Sequence, residues 1–319
     1  MIRSALIRSV FRAAGTRADL LAALKSPDRV GWAGPEVAVI AQIRGFDPAQ
    51  LDRFRAAQRA SYAVLEETVK GLEPGISERE TTTRMMRSFR ALGVQSFFHL
   101  PVALFGARTA LPGKWRNGNF WPTKTRLAEG DAVILDASPI FDGYLVDTSY
   151  STRLGENAEH HQMLLDLAPF RAAIAARVRE GATFRAIALE TDAQIRAMGY
   201  ENRHQAHLEE VLGHRALRLR VPTPAIVYQK GFDAQTLAWF ALTTLAGRRG
   251  LGASPNWNAQ RSSEHAPWDG LWAVEPHVGR GALGAKWEEL LVIQDGSVFW
   301  LDDDSPHTRY WRSHGVTVS

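Results

Sequence analysis

The sequence predicts an α+β fold, with helices covering one side of a curved antiparallel sheet whose other face holds the chemistry. Two helical stretches with clear start and stop signals come first. A hairpin signal, Asp142-Gly143, then joins two strand-like runs, and from there helical and strand-like runs alternate toward the C-terminus.

The first helix is expected from about Ala49 to Gly71, with Leu51, Phe54, Val64, Leu65 and Val69 on its apolar face and Pro74-Gly75 as the stop. Ser77 and Glu80 have the spacing of a capping box, so a second helix should run to about Leu92. Residues 97–135 read as strand and loop. Val133–Phe141 and Tyr144–Thr152 form the hairpin. Helices are expected at 159–179 and 184–198, the second capped by Thr183. Residues 200–230 look extended, a helix spans 234–247, and a Trp-rich loop covers 253–272. Strands at 271–276, 287–294 and 297–301 close the chain.

Composition narrows the function classes. The 319 residues are 45% hydrophobic and 23% charged, enough for a substantial core. The net charge of +4 is small and the arginines are scattered, so no nucleic-acid partner is expected. No apolar run reaches the roughly 20 residues of a membrane span; Leu237–Ala246 is too short and holds two threonines. With no cysteine, a disulfide framework, a thiolate metal site and a cysteine nucleophile are all excluded, and a reducing, cytoplasmic location is expected. Residues 1–48 read as an N-terminal arm and 49–319 as the main domain. Arg3, Arg8, Arg12 and Arg17 precede the first acid, Asp19, which suits a surface helix or a transit segment.

Several acids sit where burial would be costly. Asp136 closes the run Val133-Ile134-Leu135, and a carboxylate there needs a partner or a metal. With the turn centred on Asp142-Gly143, Asp136 faces Ser149 and Asp147 faces Ser138. The two aspartates then become diagonal neighbours on one sheet face, where they repel unless a cation intervenes. A one-residue slip would separate them. Glu275 closes the strand Leu271–Val274, and Glu288-Glu289 opens Leu290–Ile293. Such acids, with the imidazoles of His204, His207 and His214, suit divalent ions such as Mn, Co, Fe or Zn. The acidic run Asp302–Asp304 reads as a solvated turn.

These residues resemble those of the pita-bread metallopeptidases: methionine aminopeptidases, aminopeptidase P, prolidase and creatinase. The likeness rests on Gly130–Asp136, Asp142-Gly143-Tyr144, Asp147–Thr152, the helix exit Leu72–Ser77, Gly213-His214, Glu275-Pro276 and Gly284–Glu288, and covers about residues 49–300. It implies the pita-bread fold and two divalent ions held by Asp136, Asp147, His214, Glu275 and Glu288, with Asp147 and Glu288 bridging. It further implies an aminopeptidase or Xaa-Pro-type dipeptidase that uses a metal-bridging hydroxide on a small peptide or amide, and a homodimeric assembly. Glu275 would also carry a proton, His207 and His204 would assist catalysis, and Thr148 could orient Asp147.

The sequence departs from the family pattern in places. Arg215-Ala216-Leu217 stands where further glycines usually follow the histidine. His207 precedes His214 by seven residues, a spacing that also allows His207 as the ligand and His214 as the proton donor. Either Glu288 or Glu289 could bridge. Asn119 occupies the place of a loop histidine three residues before Pro122, and His99 could serve instead. Prolidases and creatinases carry a substantial N-terminal domain, where about 48 residues precede the catalytic region here. Residues 230–270, with Trp239, Trp257 and Trp268, read as a pocket wall, a dimer surface or core packing. Alternatives on the same scaffold are a creatinase-like amidinohydrolase or lyase and a metal-free binding protein.

Overall fold

A computed structural model describes residues 41–219 and 227–318. The basic segment 1–18 and most of the N-terminal arm lie outside them, as do residues 220–226 of the extended stretch.

Helix α1 (Pro48–Lys70) opens with a capping box between Asp47 and Gln50 and with proline in its first turn, where its missing N–H costs nothing. Helix α2 (Glu78–Ala91) starts at the Ser77–Glu80 capping box that the spacing predicts. Strands β1 (Val102–Phe105), β2 (Ala132–Ala137) and β3 (Thr148–Arg153) form an antiparallel sheet in that order. Asp136 pairs with Ser149 as expected. The same register continues outward, where Ile140 pairs with Leu145 and Phe141 with Tyr144. Asp142 and Gly143 both hold positive φ, as a tight right-twisted hairpin turn requires. Gly143 is also required by space, since a Cβ there would lie 2.4 Å from the Leu219 carbonyl oxygen.

Period-two alternation then decides which side chains meet. Val133, Leu135 and Ala137 pack with Tyr62 and Leu65 of α1 and Met85 and Phe89 of α2. Ile134 packs on the opposite face with Val102, Leu104 and Phe120. Asp136, two residues on, shares that face.

The predicted helix 159–179 is two helices, α3 (Ala158–Asp166) and α4 (Ala168–Arg179). Pro169 lacks an N–H and its ring would clash with the preceding turn, so the axis breaks at Leu167. Helix α5 (Phe184–Ala197) is capped by Thr183, whose hydroxyl accepts from the Ala186 N–H at 3.1 Å. Next come β4 (Val211–Ala216), α6 (Ala234–Arg248) and β5 (Asn256–Asn258), a strand inside the segment expected to be loop. The chain continues through β6 (Gly270–Val274), β7 (His277–Arg280), β8 (Leu283–Lys286), β9 (Glu289–Gln294) and β10 (Ser297–Trp300). The order β5-β4-β6-β9-β10 makes a second antiparallel sheet. The β7–β8 hairpin was not expected.

Trp257 stacks on Phe184 with ring centroids 4.1 Å apart, and both join Trp272, Leu291 and the α4 residues Phe170 and Ile174 in the largest core. Trp257 and Trp272 are therefore core residues. Helix α7 (Pro306–Ser313), also unexpected, follows the Ser305 cap. The acidic run before it is only partly solvated: Asp303 and Asp304 are exposed, but Asp302 is buried and accepts from Arg59 Nη2 at 3.0 Å. The two sheets touch where Ser149 bridges to Glu288, which brings the aspartate hairpin against the start of β9.

Candidate metal centre

Four carboxylates from four strand ends converge at that junction: Asp136 on β2, Asp147 just before β3, Glu275 just after β6 and Glu288 just before β9. All four are at most 6% exposed. Glu289, the adjacent acid, turns the other way. It pairs with Arg171 of α4 (Oε1 to Nε, 2.9 Å) and with His307, all three buried. Alternation along the chain thus sends Glu288 into the cluster and Glu289 into the helical layer.

His99 Nε2 lies 3.4 Å from Asp136 Oδ1 and 3.4 Å from Asp147 Oδ1. His214 Nε2 lies 3.3 Å from Asp147 Oδ2 and 3.6 Å from Glu288 Oε1. Two sets of donor atoms therefore stand close enough to share an ion: His99, Asp136 and Asp147, and Asp147, His214 and Glu288. Asp147 belongs to both. His207 joins by another route, with Nδ1 2.9 Å from Glu275 Oε2 and Nε2 3.0 Å from His277 Nδ1.

His204 is not brought to the cluster. It is buried beside Asp192, 3.0 Å from Nε2 to Oδ1, with Asn202 2.9 Å from the same nitrogen. Asn119 also stands apart, and His99 reaches the aspartates instead. Thr148 holds Asp147 through its backbone N–H (3.1 Å to Oδ1), while its hydroxyl faces Ser61 at 2.6 Å and the Ala137 carbonyl at 3.2 Å.

Lys286 completes the cluster and was not singled out from the sequence. Its Nζ lies 2.8 Å from Asp136 Oδ2, 2.8 Å from Glu275 Oε2 and 3.2 Å from Glu288 Oε2. The signal was present in its position two residues before Glu288, the spacing that puts extended side chains on one face. His277, next to Pro276, was missed as well. It is fully buried and donates from Nε2 to the Thr109 carbonyl at 2.8 Å.

Burial works against the charge on Lys286, but Asp136, Glu275 and Glu288 outweigh it and hold the ammonium's pKa well above its usual value. Burial likewise opposes charge on His99 and His214, yet the facing carboxylates raise both. Glu275 is held well below the usual range by His207 and Lys286 against its own burial. Asp147 is held below it by His99 and His214. Burial and the neighbouring Asp147 push the Glu288 carboxyl up to about 8.

The donors fit a divalent ion. Asp136 Oδ1 and Glu288 Oε1 are buried without a hydrogen-bond partner, and each faces an imidazole nitrogen within the two donor sets. A buried carboxyl oxygen left so is costly, and a cation placed between it and the imidazole would satisfy it. Carboxylate and imidazole donors suit Mn, Fe, Co or Zn.

A cavity of about 180 Å³ opens over the cluster, walled by Phe98, Trp115, Phe120, Phe232 and the α6 residues Leu237 and Phe240. Part of the 230–270 segment is thus a pocket wall. Among the described residues no helix is long and apolar enough to cross a membrane.

Comparison with known proteins agrees with this geometry. No curated protein matches the chain. Among solved structures, a prolidase from Thermococcus sibiricus superposes with a TM-score of 0.59 at 17% identity, over 83% of this chain and 62% of that one. A dipeptidase from Pyrococcus horikoshii OT3 gives 0.59 at 19% identity, over 85% and 63%. A methionine aminopeptidase from Rickettsia prowazekii gives 0.53 at 14% identity, over 82% and 99%. The chain therefore spans under two thirds of the length of the first two. The shared architecture is the pita-bread fold, as the hairpin and the strand-end acids imply. The model of metallopeptidase family M24 matches residues 52–295. The chain belongs to metallopeptidase family M24, a family of metal-dependent hydrolases.

Proposed function

We infer that the protein is a metal-dependent aminopeptidase or dipeptidase that cleaves a small peptide with an apolar side chain, at a site able to take two divalent ions. The observation that carries this is the pair of donor sets sharing Asp147 beneath an apolar cavity. Asp136 and His99 would hold one position, His214 and Glu288 the other, with Asp147 common to both. Bound there, the ions would polarise the scissile carbonyl and lower the pKa of water.

The chain's own groups would do the rest. Glu275 Oε2, 2.9 Å from His207 Nδ1, is placed to accept a proton from water and return it to the leaving amine. The aromatic wall would exclude water and seat the side chain. At about 180 Å³ the cavity is smaller than the roughly 300–1,000 Å³ of sites for drug-sized ligands, which favours a single residue or a dipeptide.

One observation favours a second reading, a metal-free member of the fold: Lys286, His99, His207 and His214 already contact all four carboxylates. Against it stand two buried carboxyl oxygens, Asp136 Oδ1 and Glu288 Oε1, that have no hydrogen-bond partner. A dipeptide panel, including Xaa-Pro and Leu- and Phe-containing substrates, assayed with Mn, Co, Fe or Zn decides. Hydrolysis that a chelator abolishes and added metal restores is expected. Protein that binds no metal and cleaves nothing would overturn the proposal.

A further inference from the structure

The way the cavity's roof is held rests on the peptidase reading and deepens it. Trp115 and Phe120 line the cavity from one segment, residues 112–121. Their ring centroids lie 5.2 Å apart, and Trp115 and Trp121 reach Phe232, another wall residue, at 6.3 and 5.4 Å. Trp121 packs so closely on Gly231 that a Cβ there would lie 2.5 Å from its ring. The wall is one set of interlocked rings, so the position of this segment decides how much room a substrate side chain has.

Much of the segment faces solvent: Pro112, Gly113, Lys114, Arg116 and Gly118 are exposed. Its backbone is held from beneath by Arg108, in the short turn Gly106–Ala110. Arg108 Nη2 donates to the Asn119 carbonyl at 3.1 Å and to the Trp121 carbonyl at 2.9 Å, the two that flank Phe120.

The guanidinium is aligned in turn by Glu78, in the first turn of α2, whose oxygens lie 2.8 and 3.0 Å from Nε. Glu78 is fully buried and also accepts from the Phe105 N–H at 3.0 Å and from the N–H and hydroxyl of Thr123, both at 2.7 Å. One carboxylate thus fixes the end of β1, the exit of the roof segment and the arginine between them. A planar fork with five donors can meet the acid and both carbonyls at once, whereas a lysine ammonium is a single point. Neither Glu78 nor Arg108 is among the residues that line the cavity. The histidine relay is tied separately: Thr109, bonded to His277, takes the Gly284 N–H on its hydroxyl at 3.0 Å.

We propose that the Arg108–Glu78 pair sets the position of the aromatic roof and, through it, the preference for a branched apolar side chain over a methyl group. Both are positioning residues, acting through Trp115 and Phe120.

The test uses the full chain with Arg108→Lys, which keeps a charge beside Glu78 but cannot also reach the two carbonyls. Amide hydrogen exchange, followed by mass spectrometry in chelator, should run at least about fivefold faster over 112–121 in the variant and at the wild-type rate over β2. With Mn²⁺, KM for the better of Leu-Ala and Ala-Leu should rise about tenfold, the lower end of what one methylene of fit is worth, while kcat and the KM for Ala-Ala stay near wild type. Glu78→Gln, which removes the charge that aligns the guanidinium, should shift both readouts the same way, and it decides the matter if Arg108→Lys does not fold. Unchanged exchange over 112–121 would overturn the proposal. So would a preference for leucine over alanine equal to the wild type's, or an equal fall in kcat for all three dipeptides, the result of a general loosening. A wild type that cleaves no dipeptide would sink the peptidase reading instead, and exchange alone would then judge the clamp.

Discussion

His207 donates its Nε2 proton to His277 Nδ1 across 3.0 Å. The direction follows from the next bond along. His277 Nε2 faces the Thr109 carbonyl at 2.8 Å, and a carbonyl can only accept. Burial, with His207 and Lys286 nearby, holds His277 well below its ordinary pKa, so it is neutral and its Nδ1 is bare. His207 must then present Nδ1 to Glu275, with the ring fixed in one orientation. Replacing His277 by Ala should free that ring. Outer partners of this kind typically matter by about 10–100-fold in metal affinity or activity, and a loss in that range is expected for His277→Ala. The same affinity and kcat/KM as wild type would show that the relay has no role.

Adjacent glutamates provide a sharper contrast. Glu289 is locked to Arg171 and His307 in the helical layer, whereas Glu288 faces Asp147 and His214. Glu289→Ala takes the carboxylate that bonds two nitrogens of the buried Arg171, which keeps Asp303 and the Asp302 carbonyl, so the cost stays within the roughly 3–5 kcal/mol of a buried pair that loses one partner. Glu289→Ala should therefore lower the urea midpoint strongly while any folded fraction still binds metal. Glu288→Ala should do the reverse, because it relieves repulsion with Asp147. Equal destabilisation by the two variants, with metal binding retained in both, would contradict the assignment.

What the sequence revealed and concealed follows from the range of the physics involved. The hairpin was legible because Asp142-Gly143 sets the turn, the turn sets the register, and the register puts Asp136 opposite Ser149. The helix starts at Ser77 and Thr183 were legible because capping is local. The break at Leu167 was also local, written in Pro169, but the apolar run around it masked the signal. Lys286 was signalled only by its spacing to Glu288, and His277 was not legible. Their partners are Asp136, 150 residues away, and Thr109, 168 residues away, and only the folded sheets bring them together. His204 misled because a buried histidine beside an acid looks the same in sequence whether the acid is Asp192 or a metal ligand.

Asp147 is the shared member of both donor sets, so its charge should govern the metal's effect on stability. In the wild type, added Mn²⁺ should raise the melting temperature, because a ligand that binds only the folded state stabilises it. Asp147→Asn keeps the shape and removes the charge. Without metal it should melt lower than the wild type, since His99 and His214, facing Asp147 at 3.4 and 3.3 Å, stabilise its charge in the fold. With metal its melting temperature should not move. A metal-induced rise equal to that of the wild type would exclude Asp147 from the centre.

His160 offers a test of the acid limb that leaves the metal cluster intact. It is fully buried in α3, and burial together with the Arg153 charge pushes its imidazole down to about 4. Above pH 6.5 the imidazole is neutral in both folded and unfolded chains, and its contribution to stability is fully present. As the pH falls from 6.5 toward 4, the unfolded chain takes up a proton that the folded chain refuses, so that contribution is lost. The difference amounts to roughly 3 kcal/mol over that window. His160→Leu removes the titration. Measured by urea unfolding in chelator, so that metal release plays no part, the wild type should lose stability faster than His160→Leu between pH 6.5 and pH 4. Above that window the two curves should run parallel. Parallel curves throughout would mean that the folded protein protonates His160 as readily as the unfolded chain does.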